Sequence, residues 1–165
     1  MYSHVARKPY FFALSALLFF FILRVLGQLS VVLFQPQFLP PMNDWHSGLL
    51  PYPLLLACQL IIIVFFGKIC LDFAGLGQGK FARASARAAH KLSFWGTFYM
   101  AVNFLRYALM QYLHPHGLWF SGCIPIFFHC VLASFILVLA TYQHQACRVS
   151  VTAQASESFS KALPH

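Results

Sequence analysis

Arg24, Gln28, Gln59, Asn103, Arg106 and His129 are the residues whose chemistry stands out, because each falls inside a stretch that is otherwise apolar. Guanidinium, carboxamide and imidazole groups placed together donate hydrogen bonds to an oxygen-bearing ligand and balance its negative charge. A charged Arg near the middle of a lipid-spanning helix costs about 3 to 10 kcal/mol, so it is expected to face a bundle interior or a watery cavity. In the competing reading Arg106 snorkels to the headgroups and the amides only bridge helices.

A second set of donors lies outside the apolar stretches. Asp44 and His46 sit two apart in one loop, and His114 and His116 two apart in another. Carboxylate and imidazole suit zinc or copper, and such pairs can reach one metal from an irregular loop. The spacing carries little information, and polar loop histidines near the headgroups are the plainer reading. A b-type haem needs two axial ligands at matching depth, and His129 alone lies well inside an apolar stretch. A quinone headgroup fits more easily, since it needs donors but no matched pair. Ser47 and Ser121 lie near histidines, but no buried carboxylate is there to orient a base, so no catalytic triad is expected.

The elements that must position these groups follow from composition. Of 165 residues, 60% are hydrophobic and 8% charged, against about 25% charged in soluble domains. This describes a single all-α integral membrane domain, a four-helix transmembrane bundle with spans at about 10–34, 52–71, 92–113 and 120–142. The first apolar run is longer than the roughly 7 to 15 residues of a signal-peptide core and is expected to be a retained span. Pro36, Pro40, Pro41, Pro51 and Pro53 break the chain between the first two spans.

Residues 72–91 form a basic connector. Gly75, Gly77, Gly79 and Lys80 lack the spacer and the following Ser or Thr of a phosphate loop, so they read as a flexible turn. Lys80, Arg83, Arg87 and Lys91 then share one stripe at 100° per residue, which predicts a short interfacial helix on anionic headgroups. Residues 143–165 are polar and read as a poorly ordered tail. Cys58, Cys70, Cys123, Cys130 and Cys147 contain no C-x-x-C pair and read as small packing residues.

Basic residues gather before the first span, in the connector and in the tail, while the other two loops have none. The positive-inside rule then makes both termini cytoplasmic. The net charge of +8 is explained by topology and by anionic lipid at the inner face. Nucleic acid is not an expected partner, because no basic segment interleaved with exposed aromatics forms a foldable module. A bacterial inner membrane is the favoured setting, with an organelle membrane as the alternative.

Counting residues at 1.5 Å each places the six polar groups about 8 to 15 Å below the outer boundary, in one layer drawn from four helices. Tyr99, Asn103, Arg106 and Met110 follow a 4, 3, 4 spacing that puts them on one side of the third span. Of the three carboxylates, Asp44, Asp72 and Glu157, none falls inside a span. The layer is therefore expected to be completed from outside the chain. The leading expectation is a non-catalytic accessory or assembly subunit, joined to other membrane subunits or to itself. The alternative is a binding or redox protein that takes a quinone, an anionic lipid or a metal in an outward-facing cavity. A transporter is disfavoured, because the inner halves offer no polar pathway.

Overall fold

The computed structural model describes residues 6–35, 51–113 and 123–162, which form four α-helices and no strand. Helix α1 is Arg7–Phe34, α2 is Tyr52–Ala74, α3 is Ala86–Leu113 and α4 is Cys123–Ala162. Three of them, α1, α2 and the Ile126–Ala155 portion of α4, are long and apolar enough to cross a membrane. Helix α3 carries Asn103, Arg106 and Gln111 and is less apolar than the others.

Local chemistry sets the helix ends. Pro51 accepts hydrogen bonds at its carbonyl from the N–H groups of Leu54 and Leu55, and Pro53 sits in the first turn of α2, where a missing N–H costs nothing. Helix α2 stops at Gly75, whose φ of 82° places it in the left-handed region open to glycine. The N–H groups of Leu76 and Gly77 then return to the Leu71 carbonyl. Ser85 starts α3: its carbonyl accepts from Ala89 N–H at 2.9 Å and its hydroxyl accepts from Ala88 N–H at 3.3 Å.

Helix α1 packs between α2 and α4, and α3 lies along α4. The main core occupies the half of the bundle nearest the connector. There Leu14, Phe66, Ile69, Phe73, Phe135, Leu139 and Tyr142 are buried together, and Phe66 stacks flat on Phe135 with ring centroids 3.7 Å apart. A smaller cluster of Phe21, Val25 and Val131 leads into the other half. Helix α3 buries Ala89, Gly96 and Asn103, seven residues apart, so small side chains let it approach α4 closely. A Cβ at Gly96 would meet Leu137 at 2.9 Å.

The connector differs from its expectation. Arg87 and Lys91 belong to α3 itself, while Lys80 and Arg83 precede it, so no separate interfacial helix carries the four cations. Nor is the glycine-rich turn loose. Asp72 is buried and accepts Phe81 N–H at 3.0 Å, Gln143 accepts Ser85 N–H at 2.9 Å and donates to the Phe81 carbonyl at 2.6 Å, and Tyr142 donates to the Ala82 carbonyl at 2.9 Å. Residues 143–162, expected to be disordered, continue α4 as helix. At 40 residues α4 is about 60 Å long, twice the thickness of a hydrocarbon core, and its more polar end begins beside the connector, where Gln143 meets Phe81 and Ser85.

Candidate functional site

Helices α1 and α2 build one half of the polar layer. Arg24 and Gln28 are four apart on the buried face of α1, and Arg24 Nη1 donates to Gln28 Oε1 at 2.5 Å. Gln59 on α2 donates from Nε2 to the same oxygen at 3.2 Å. All three side chains are at least nine-tenths buried, and Gln28 is fully so. Four-residue spacing on α1 and matched depth on α2 explain the trio, since α1 and α2 run antiparallel and share their buried faces.

Helices α3 and α4 build the other half. The Tyr99 hydroxyl and His129 Nδ1 share a hydrogen bond of 2.5 Å, with the rings edge to face. Asn103 is buried but turns back on its own helix, donating to the Tyr99 carbonyl at 2.8 Å. Arg106 is half-buried, and among the described residues it makes no hydrogen bond or ion pair. Its charge acts on His129 and on Tyr99.

Arg24 joins the two halves. Its guanidinium lies over the Phe128 ring, 5.5 Å from the centroid, and its charge acts on His129 and on Tyr52. A cation held against an aromatic face is attracted by the ring quadrupole, so Phe128 orients Arg24 without supplying an anion. In this layer hydrogen bonds join Arg24, Gln28 and Gln59 in one group and His129 with Tyr99 in another, with Arg24 over the Phe128 ring between them. Asn103 shares its depth but spends its amide on the α3 backbone. The expected metal ligands Asp44, His46, His114 and His116 lie outside the described residues. Among the described residues no group of three or more His, Cys, Asp or Glu comes together.

Three buried polar atoms in this layer have no hydrogen-bond partner among the described residues: Gln28 Nε2, Gln59 Oε1 and the Tyr52 hydroxyl. One is a donor, one an acceptor, and the third is both. Tyr52 and Tyr99 were not among the expected site residues. Tyr52 reads in sequence as a boundary aromatic, yet its hydroxyl is buried near Arg24. Tyr99 sits on the stripe of Asn103 and Arg106, and its partner His129 lies at the same depth on the next helix, which was the available signal.

In comparisons with known proteins, no family, curated protein or solved structure matches this chain.

Proposed function

We propose that this chain is a four-span, non-catalytic membrane protein that holds the oxygen-bearing headgroup of a membrane amphiphile, an anionic lipid or a quinone, in its polar layer. The observation that carries the reading is the set of leftover atoms on Gln28, Gln59 and Tyr52, buried beside the Arg24 guanidinium, with Arg106 near His129 as the second cation of the layer. An unsatisfied buried polar group costs about 1 to 3 kcal/mol, and three in one place make a site complementary to a ligand that both accepts and donates. The positive potential favours a phosphate, carboxylate or polarised carbonyl oxygen.

Helix α3 is proposed as the fourth span. It is as long as α1, packs along α4 through Ala89, Gly96 and Asn103, and exposes Phe94, Trp95, Phe98, Leu105 and Leu109, a surface that suits lipid. The basic connector and both termini are proposed to be cytoplasmic, which puts the polar layer in the outer half.

Extraction from the native membrane in mild detergent, with mass analysis of what remains bound, tests the function. The expected result is a stoichiometric lipid or quinone that is depleted about tenfold in Arg106→Leu, the loss of one charge-assisted contact. Protein that emerges without any amphiphile, or an adduct retained equally by Arg106→Leu, would overturn the proposal. A partner chain bound in place of the amphiphile would do the same and favour the accessory-subunit reading.

A further inference from the structure

A groove separate from the polar layer opens at the other end of the bundle, between the start of α1 and the middle of α4. Its volume is about 370 Å³, and its walls include Pro9, Tyr10, Ala13, Val138, Thr141 and Gln145. That volume falls within the roughly 300 to 1,000 Å³ of small-molecule sites. The groove has a firm wall, because the Tyr10 ring is held edge-on against Tyr142 with centroids 5.2 Å apart. It is also less polar than its residue types imply: the Thr141 hydroxyl is occupied by the Val138 carbonyl at 2.8 Å.

Charge distinguishes the groove's open end from its floor. Val138, Thr141, Gln145 and Arg148 fall on one 80° stripe of α4 at 100° per residue, so Arg148 continues the α4 wall beyond the groove. Arg7 and Lys8 adjoin Pro9 at the start of α1 and, like Arg148, are exposed. The one carboxylate of this end whose surroundings are described, Asp72, is buried and accepts the Phe81 N–H. Apolar walls at acyl-chain depth, capped by cations at the interface, match one kind of molecule.

We propose that this groove is a binding site for an anionic phospholipid of the leaflet at the basic end, with an acyl chain along Ala13 and Val138 and the phosphate at Arg7, Lys8 and Arg148. Long basic side chains suit this role, since their stems lie along the apolar wall while the charge stays at the headgroup level. The site does not depend on the outer polar layer, and its test uses different residues.

Native mass spectrometry of the delipidated protein, titrated with phosphatidylglycerol or with phosphatidylcholine of the same chains, reads the site directly. Two or three interfacial cations are expected to give phosphatidylglycerol an advantage of about tenfold or more. Arg148→Gln, an exposed change that leaves the walls intact, is expected to remove most of that advantage. Ala13→Phe fills the groove and is expected to weaken both lipids. Equal retention of the two lipids by the wild type overturns the proposal, as does selectivity that survives Arg148→Gln. An Ala13→Phe variant that stays folded, by its circular dichroism and unfolding midpoint, and binds both lipids as the wild type does would also refute it.

Discussion

Gln143 and Gln59 are both buried carboxamides on membrane helices, and the contrast between them divides the molecule. At the basic end, Gln143 uses both ends of its amide, accepting from Ser85 and donating to the Phe81 carbonyl. Around it Asp72, Tyr142 and the Ser93–His144 pair, 3.0 Å apart, each have a partner, and the largest apolar core lies just beneath. In the other half, Gln59 donates to Gln28 but its oxygen is left over, as are Gln28 Nε2 and the Tyr52 hydroxyl. A completed network fixes a fold, whereas an incomplete one in a dry interior is stabilised by whatever completes it. The polar network of the basic end is thus the completed one, and the polar layer is the one we propose a ligand completes.

Substitutions that break the basic end should have the largest effects. Phe135→Ala removes a fully buried ring stacked on Phe66 and is expected to destabilise the protein by about 3 to 5 kcal/mol, seen as a large fall in the unfolding midpoint in detergent. Gln143→Leu leaves the Ser85 N–H and the Phe81 carbonyl without their partner, and is expected to lose about 2 to 3 kcal/mol. It should also expose residues 75–85 to protease, so a digestion time course separates it from a general loss of stability.

Smaller effects sharpen the comparison. Gly96→Val forces side chain into the α3–α4 contact at Leu137 and is expected to destabilise by about 1 to 3 kcal/mol. Tyr99→Phe removes only the phenol that meets His129 and is expected to change stability by about 1 kcal/mol. Gln59→Leu should be the mildest in ligand-free protein, within about 1 kcal/mol of the wild type, because it deletes an unsatisfied acceptor along with one long hydrogen bond. If Gln59→Leu proved as damaging as Gln143→Leu in ligand-free protein, the division into two halves would fail.

What the sequence made legible follows the same division. Long apolar runs located the helices, and depth counting brought Arg24, Gln28 and Gln59 together, because position along a membrane helix is nearly linear in residue number. Period also grouped Asn103 and Arg106, but not the choice by Asn103 of a carbonyl on its own helix over a ligand. The connector was hidden for a different reason. Glycines and cations at 75–91 read locally as a turn and an interfacial helix, and the groups that organise them, Tyr142 and Gln143, come from more than fifty residues later. The tail reads as disordered by composition, yet it extends a helix already nucleated within the bundle, which removes the usual cost of starting one. The short stretch between the third and fourth apolar runs implies that they pair as an antiparallel hairpin, and α3 does lie along α4, but nothing in the sequence marks Gly96 as the point of close approach.

The central claim is that the atoms left over on Gln28, Gln59 and Tyr52 are completed by a bound amphiphile. The unfolding midpoint of wild type and Gln59→Leu, each before and after detergent stripping of bound amphiphile, tests it most directly. The account predicts that stripping lowers the wild-type midpoint by several degrees and leaves Gln59→Leu almost unmoved, because a bound ligand stabilises only the form that holds it. An equal response to stripping in the two proteins would contradict it.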